Sequence, residues 1–241
     1  MAEYLVQETS IKAIADAIRE KTGTTGAMAL AQMPDAIAGI QGGGTEMLDA
    51  FIDGSATELY SEVATVYGYA CYNRRNLASV VLPKTTTINA SAFEGCTALK
   101  SVDAPSATTI STKAFRLCSA LENVKLPKAR YLNTETFGVC SMLRVADMPA
   151  AQSLSTAFYN CPALTALVLR VTSSPASIGA NGLYNTPIAA GNGYIYVPRA
   201  LVDSYKAATN WNTYASQFRI LEDYTVDGTT TGALDETKLN A

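Results

Sequence analysis

The sequence predicts an α/β solenoid in which successive repeats add parallel strands to one sheet. Five leucines recur at steps of 22, 22, 22 and 21 residues. In most units a phenylalanine lies six positions before the leucine, a cysteine three before, an apolar residue three after and a proline six after. One unit of this size cannot bury its apolar side chains alone, so the units must stack. The recurring leucines are Leu77, Leu99, Leu121, Leu143 and Leu164.

The first and last units depart from the pattern. Cys71 stands where later units have phenylalanine, Arg74 stands where they have cysteine, and Arg170 replaces the proline of the last unit. Terminal units of stacked arrays are often atypical. Since the period lies within the leucine-rich-repeat range, residues 71–171 are predicted to form a short leucine-rich-repeat solenoid with one parallel sheet.

The outward side chains of the predicted sheet form a candidate partner-binding surface. The alternation after each leucine directs Leu99, Val102 and Ala104 into the core. With strands ~4.8 Å apart, the outer face covers on the order of 300 Å², below the ~800 Å² per partner of a standard interface. One copy is therefore expected to bind weakly and several copies to act together. The predicted partner-binding residues are Ser101, Asp103, Asn123, Lys125, Val145 and Asp147.

The flanking segments are predicted to anchor or close the array. Residues 1–44 read as a helical hairpin with a glycine linker, too small for an independent core and therefore predicted to be an anchor or oligomer contact. The alternative is an end cap that folds back on the repeats. Residues 45–70 are predicted to be an N-terminal β cap and 225–241 a flexible tail. Residues 172–224 are predicted to be a C-terminal cap, in which an irregular stretch (172–193) is followed by a strand and a helix. The predicted anchor residues are Ile11, Ile14, Ile18 and Ile37.

Composition argues against several classes of function. The chain has no histidine, which removes His-based acid–base catalysis, His-activated nucleophiles and His-ligated metals. Its 18 basic and 21 acidic residues give a net charge of −3 without a basic stripe, so no nucleic-acid partner is predicted. No apolar stretch reaches the length of a membrane span, so no membrane insertion is predicted. The prediction is a protein that is not an enzyme and has no cofactor.

The five cysteines are predicted to be reduced and buried. They stand 21 to 25 residues apart in nearly equivalent slots, whereas metal motifs place cysteines much closer together. Stacked rungs would also hold neighbouring thiols too far apart for a disulfide. Cys71, in the atypical first unit, is expected to react before the other four.

The AF-x-x-C-x-x-L-x-x-V-x-x-P units, from about residue 64 to 170, resemble the BspA-like leucine-rich repeats of bacterial surface proteins. The segment IKAIADAIREKTGTTG followed by MPDAIAGI resembles the N-terminal module of virion proteins in phages and prophages of low-GC Gram-positive bacteria. The segment YIYVPRALVDSYKAATNW resembles the part that closes the repeat array in many such proteins. The resemblance implies a phage or prophage structural protein associated with the tail, fibre or baseplate.

The leading interpretation is a virion attachment module, assembled in the host cytoplasm, that presents its repeat surface to the host. Its expected partners are other virion proteins and a host surface protein or glycan. A homo-oligomer is expected, with a trimer suggested by resemblance to phage fibres. Two alternatives stay open: a decoration subunit that contacts only other virion proteins, and a bacterial surface adhesin, which the absence of a signal peptide and wall anchor disfavours.

Overall fold

The computed structural model describes residues 56–239. The helical hairpin predicted for residues 1–44 lies outside the described residues. So do its predicted contacts, which are Ile11, Ile14, Ile18 and Ile37.

The described residues form a solenoid of parallel rungs, which confirms the predicted fold class. Its first side carries strands with the bounds β1 (Glu58–Tyr60), β3 (Ser79–Val81), β5 (Ser101–Asp103), β7 (Asn123–Lys125), β9 (Val145–Met148), β10 (Ala166–Leu169), β11 (Tyr194–Val197) and β12 (Phe218–Ile220). They run in the orders β1-β3-β5 and β7-β9-β10-β11-β12. Equivalent positions align between neighbouring rungs, as Val80 does with Val102.

A second parallel sheet, which the sequence analysis did not predict, lies on the return path of the rungs. Its strands have the bounds β2 (Thr65–Val66), β4 (Thr87–Ile88), β6 (Thr109–Ile110) and β8 (Tyr131–Leu132). Isolated bridges continue the ladder from Tyr131 to Ser153 and Ser177. Two residues suffice for each strand because flanking amides also bond between rungs, as in the 2.9 Å bond from the Ser111 nitrogen to the Ile88 oxygen. The prediction of a single sheet is wrong, because the strands divide into two sheets on the first side and this one, called the second sheet below, on the return path.

The third side consists of stacked turns that carry a ladder of phenylalanines. Phe93, Phe115, Phe137 and Phe158 are buried, and their ring centroids lie 5.2, 5.4 and 5.7 Å apart in nearly parallel planes. Each ring therefore packs on its own equivalent in the next rung. The five recurring leucines are buried as well, as predicted.

The array extends beyond both ends of the predicted repeats. β1 and β2 pair in parallel with β3 and β4, so the described part of the predicted N-terminal β cap is a first rung. Residues 172–193, predicted to be irregular, also continue the array. Ser177 joins the second sheet, and the buried Leu183 lies next to the position of Phe158 in the neighbouring rung. An insertion of a few residues, rather than the loss of the repeat, breaks the sequence period there.

The C-terminal end closes the stack with the predicted strand and helix. β11 is followed by a 3₁₀ turn (Arg199–Leu201), by helix α1 (Val202–Ala207) and by a longer 3₁₀ segment (Asn212–Gln217) that leads to β12. A third 3₁₀ turn (Leu221–Tyr224) and the short helix α2 (Glu236–Leu239) complete the described chain. Within residues 56–239, no helix is long and apolar enough to cross a membrane.

Buried aromatic residues hold this end against the last rungs. The Trp211 indole donates a hydrogen bond of 2.6 Å to the Ala176 carbonyl, and the Ala176 amide donates one of 2.9 Å to the Tyr205 hydroxyl. The Tyr205 and Trp211 rings meet edge to face at 5.5 Å. The polar atom of each ring therefore has a partner, as burial requires.

Candidate binding faces

The structure brings the predicted partner-binding residues together on the first side of the solenoid. Ser101, Asp103, Asn123 and Lys125 are exposed on β5 and β7. The register continues onto β9, where Val145 aligns with Asn123, and Asp147 aligns with Lys125. The predicted alternation between core and solvent therefore holds on β5 and β7, the two adjacent edge strands of the first side.

Asp147 does not belong to an open surface, contrary to the prediction. It is buried, and its carboxylate accepts two hydrogen bonds from the equally buried Arg170, Nε to Oδ1 at 2.9 Å and Nη2 to Oδ2 at 3.0 Å. Val145 is half-buried. The reason lies in a segment from the far end of the chain, which covers β9, β10 and β11.

That segment, residues 225–239, is called the C-terminal strap below. Arg170 Nη1 donates hydrogen bonds to the Thr230 and Gly232 carbonyl oxygens, at 2.7 and 2.9 Å, so one guanidinium joins the strap to Asp147. Leu234 and Leu239 pack on an apolar cluster of the sheet that includes Val168. The described part of the predicted flexible tail is thus a folded cover. Arg170, which stands in the proline position of the last unit, joins this cover to the sheet.

The second sheet presents a face that the sequence analysis did not identify. One row of outward positions, directly before the buried aliphatic residue of each return strand, carries a hydroxyl in every rung. A second row lies directly after that aliphatic residue and carries small polar residues, one tyrosine and one glycine. The first row is Thr65, Thr87, Thr109, Tyr131, Ser153 and Ser177, and the second row is Tyr67, Asn89, Ser111, Asn133, Ser155 and Gly179.

We call these two rows the hydroxyl face. All of its first-row residues are exposed or half-buried, and Tyr67 and Tyr131 are 69% and 47% exposed. Among the hydrogen bonds of residues 56–239, only Ser177 uses a side chain of this face as donor, 3.4 Å from the Gln152 carbonyl. Neither row contains a charged residue. The face therefore presents side-chain hydrogen-bond donors that, apart from Ser177, have no partner among the described residues, and it carries no charged side chain.

A sequence signal for this face was present. A Ser, Thr or Tyr precedes each aliphatic residue of the return path, which comprises Ile88, Ile110, Leu132 and Leu154 in the middle rungs. Threonine and tyrosine favour strands, and the polar-apolar-polar order is that of a half-buried strand. A window of three residues is too short for this pattern to stand out from a loop.

The buried thiols form a ladder inside the solenoid, as predicted. All five cysteines are free and buried. In four of them the Sγ lies 3.0 to 3.3 Å from a backbone carbonyl oxygen of the preceding rung. Burial raises the pKa of Cys71, Cys96 and Cys161 from the ordinary 9.0 to about 12. Cys71 is buried like the others, so its burial does not distinguish it as the first thiol to react, which stays a prediction.

The described C-terminal end also contains an open depression of about 530 Å³. Its walls combine apolar side chains of α1 and β12 with Lys206, Arg219 and Lys238. Arg219 lies over the Tyr194 ring at 3.9 Å and donates to two carbonyls, while Lys238 donates to the Asp223 carbonyl at 2.9 Å. These two cations already have partners in the cap. Among residues 56–239, no group of His, Cys, Asp or Glu is placed to hold a metal ion.

Comparison with known proteins places the repeats in a family. Residues 64–189 match the BspA type leucine rich repeat region in six copies, which is more than half of the chain. A solved leucine-rich repeat protein from Bacteroides ovatus is similar over 59% of this chain and 39% of its own, with 20% identity and a TM-score of 0.44. The Treponema pallidum leucine rich repeat protein is similar over 47% of this chain and 59% of its own, with 23% identity and a TM-score of 0.41. No curated protein matches the chain.

Proposed function

Because the chain belongs to the BspA-type leucine-rich repeat family, we propose that it is a non-catalytic binding protein and that it serves as the host-attachment module of a phage particle. The hydroxyl face carries the binding part of this proposal. It repeats the same kind of side chain on neighbouring parallel rungs and leaves nearly all of their hydrogen-bonding capacity unused. A stacked array holds such a surface in one conformation, so little entropy is lost when a ligand binds.

The chemistry of the described residues supports binding rather than catalysis. The thiols lie in the core with protons held by burial, so none is an accessible nucleophile. The chain has no histidine to serve as a general base. Arg170 and Asp147, the most buried ion pair described, are bound to each other and to the strap.

The virion part of the proposal is supported by two resemblances outside the repeats. Residues 11–26 with 33–40, and residues 194–211, are similar to segments that flank such arrays in phage structural proteins. In this proposal residues 1–44 join the particle and form the homo-oligomer, with a trimer as the expected number. Several solenoids presented together would raise a weak single-site affinity through effective concentration.

The experiment first determines whether the protein is present on a phage particle and then measures whether it binds host cells. An epitope tag at the C-terminus of the chain, visualised by gold labelling, is expected to decorate the host-proximal end of phage particles induced from the producing bacterium. Purified full-length protein is expected to bind host cells and to slow phage adsorption. A variant without residues 1–44 is expected not to be incorporated into the particle. It is also expected to bind cells more weakly, because it is monomeric.

Each result decides a separate part of the proposal. Labelled particles combined with no binding to host cells would contradict attachment and assign the chain to the particle's own structure. Cell binding combined with unlabelled particles would contradict the virion assignment and favour a surface adhesin. A deletion variant that light scattering shows to be still oligomeric would place the assembly contacts outside residues 1–44.

A further inference from the structure

We propose that the hydroxyl face binds a neutral, linear glycan that lies along the solenoid axis across successive rungs. The inference deepens the proposed attachment function and rests on it for its biological setting. It names a different surface from the one the sequence indicated, and it selects one class of ligand for that surface.

The dimensions of the face fit a polymer chain better than a globular partner. Its six rungs, from Thr65 to Ser177, span about 24 Å at ~4.8 Å per strand. Its two rows are about 7 Å apart, because they are separated by two residues of a strand. A strip of this shape covers on the order of 200 Å², far below the ~800 Å² per partner of a protein interface. A single extended chain of sugar rings fits such a strip lengthwise.

The side chains of the face match a polyhydroxylated, uncharged ligand. Hydroxyls both donate and accept hydrogen bonds, and the Asn89 and Asn133 amides can do both at once. Each rung repeats these groups at the strand spacing, so a ligand with a short repeat can make the same contact several times. Binding leaves no charge unpaired, because neither row has one. The two rows supply no cation for an anionic ligand, and Arg130 lies directly before Tyr131, at the margin of the face.

Two exposed tyrosines give the strip aromatic platforms. Tyr131 lies in the first row on the fourth rung, and Tyr67 lies in the second row on the first rung. Their rungs are about 14 Å apart, three strand spacings. A tyrosine ring is apolar on its face and polar at its tip, so it packs on the C–H face of a sugar while its hydroxyl stays hydrogen-bonded. An oligosaccharide of a few rings would reach from one platform to the other.

The first side of the solenoid does not offer an equivalent site. Its open part alternates small and charged residues, such as Asp103 and Lys125, and the C-terminal strap covers β9 to β11. Its exposed middle strands carry no aromatic residue. The two faces of one rung therefore provide an internal comparison for experiment.

The test measures binding of full-length protein to defined polysaccharides. The probes are linear neutral oligosaccharides of two to eight hexose units, in β-1,4-glucan, β-1,3-glucan, α-1,4-glucan and β-1,4-mannan series, titrated by calorimetry. Polygalacturonate and polyglutamate are the anionic controls. We expect at least one neutral series to bind, with affinity rising with chain length until the ligand spans the face, and with weak salt dependence. Binding only to the anionic polymers, or to no probe, would overturn the proposal.

Matched substitutions in a single rung locate the site. Thr109→Lys places a cation in the middle of the hydroxyl face, and Ser101→Lys places the same side chain on the first side of the same repeat. We expect Thr109→Lys to weaken binding more than about tenfold, because it blocks the strip and buries a charge on binding. Ser101→Lys should leave affinity unchanged. Equal losses for both variants would contradict the assignment of the face.

A second pair tests the aromatic platform. Tyr131→Ala is expected to weaken binding about tenfold, the equivalent of one aromatic contact. Tyr184→Ala is the control, since Tyr184 is 54% exposed but lies among the stacked turns of the third side. Tyr131→Ala should unfold like the parent because its ring is exposed, and Tyr184→Ala should remain folded while losing only the contribution of its stack on Tyr159. A loss with Tyr184→Ala but not with Tyr131→Ala would move the site to the third side and overturn the proposal.

These results also separate the inference from the proposed attachment function. If Thr109→Lys leaves host-cell binding intact and no neutral glycan binds, the inference fails while attachment stands. If neutral glycans bind in a Thr109-dependent way but the protein does not reach particles or cells, attachment fails while the binding site stands.

Discussion

The middle repeats and the C-terminal end bury side chains by different means. In the repeats each buried residue meets its own equivalent, as the Phe93, Phe115 and Phe137 rings do at 5.2 and 5.4 Å. At the C-terminal end the contacts occur once. Arg170 joins Asp147 to the strap, and the Trp211 indole meets the Ala176 carbonyl.

This difference determines how each region should respond to change. A repeated contact is multiplied along the array, so a condition that weakens it acts on every rung together. A contact made once concentrates its contribution in a few atoms, so one substitution removes it while the rest of the molecule remains folded. Alkaline pH and single substitutions should therefore affect the two regions differently.

Alkaline pH should affect the repeats most because it acts on the whole thiol ladder. Burial raises the pKa of Cys71, Cys96 and Cys161 to about 12, and it raises the pKa of Cys118 and Cys140 well above the ordinary 9.0. Unfolded thiols ionise near 9.0, so their stabilising contribution is complete below pH 9.0 and is lost as pH rises towards 12. Each thiol should lower the free energy of unfolding by about 1.4 kcal/mol per pH unit in that interval.

Denaturant titrations at a series of pH values, with reductant present, would measure this loss. Cys140→Ala should reduce the slope of the free energy of unfolding against pH by the contribution of one thiol, about 1.4 kcal/mol per pH unit. This change in slope is independent of any effect of the substitution on stability at neutral pH. At the C-terminal end, burial raises the pKa of Tyr196 from 10.0 to about 12, so loss there begins about one pH unit higher. Fluorescence of Trp211, the sole tryptophan, should therefore change after the repeats begin to unfold. A free energy that stays constant from pH 9 to 11 would rule out this account.

Phe137→Ala should destabilise the protein by about 3–5 kcal/mol. Phe137 is fully buried between two rings, 5.4 Å from Phe115 and 5.7 Å from Phe158. Phe93, at the end of the ladder, has a single ring neighbour among the described phenylalanines. Phe93→Ala should therefore cost less, by the ~0.5–1.5 kcal/mol of one aromatic pair. Equal losses in chemical denaturation would show that the ladder adds nothing to simple burial.

Arg170→Met should lower the free energy of unfolding by about 3 kcal/mol, which is at the low end for breaking a buried ion pair. We expect the low end because the strap can move away and let water reach Asp147. The effect should be local. Limited proteolysis is expected to cut within residues 225–239, while Trp211 fluorescence stays unchanged. Adding Asp147→Leu should recover part of the stability by removing a buried carboxylate whose remaining cation is Lys125 at 3.8 Å. It should leave the strap sensitive because the Thr230 and Gly232 carbonyls still lack their donor. Unchanged proteolysis in Arg170→Met would contradict the role of this contact.

The repeats were predictable from sequence because their contacts recur at one period. The slots of Leu99, Phe115 and Cys118 each align with an equivalent about 22 residues away, and the structure stacks them as the alignment implies. The second sheet was harder to predict, because strands such as Thr109–Ile110 are too short to show alternation. The row of hydroxyl-bearing residues on the second sheet can be recognised only after the rungs are aligned with one another.

The cover over β9 to β11 could not be predicted by this means. Arg170 and Thr230 are 60 residues apart, and no periodicity links them. The strap is polar and poor in apolar residues, which is typical of a mobile tail. What holds it is a buried arginine in a slot where the other repeats have proline, and a departure from a pattern does not identify its partner. The exposure predicted for Asp147 was therefore wrong, because the segment that covers it lies outside its own repeat.

The smallest predicted effect concerns the turns between the rungs. The residue before each cysteine slot has a left-handed backbone, with φ between 57° and 78° in the first five rungs, and its occupants are Asn73, Gly95, Leu117, Val139 and Asn160. Glycine and asparagine adopt this conformation readily. For other residues it costs roughly 1–2 kcal/mol of conformational free energy, and β-branched residues are the least suited to it. Val139 is therefore the poorest fit among these five turns.

Val139→Asn should stabilise the protein by about 0.5 kcal/mol, a gain reduced by the apolar contact that the half-buried valine loses. The Val139 amide donates a 3.0 Å hydrogen bond to the Tyr159 carbonyl, and asparagine keeps that bond. Leu117 lies in the preceding turn, with φ of 62°. Leu117→Asn should stabilise the protein by less than Val139→Asn, because leucine is not β-branched. Denaturant midpoints of the two variants and their parent provide the measurement. If both variants proved less stable than the parent, side-chain packing rather than backbone conformation would govern these turns, and the repeats would depend on apolar contact even at their surface.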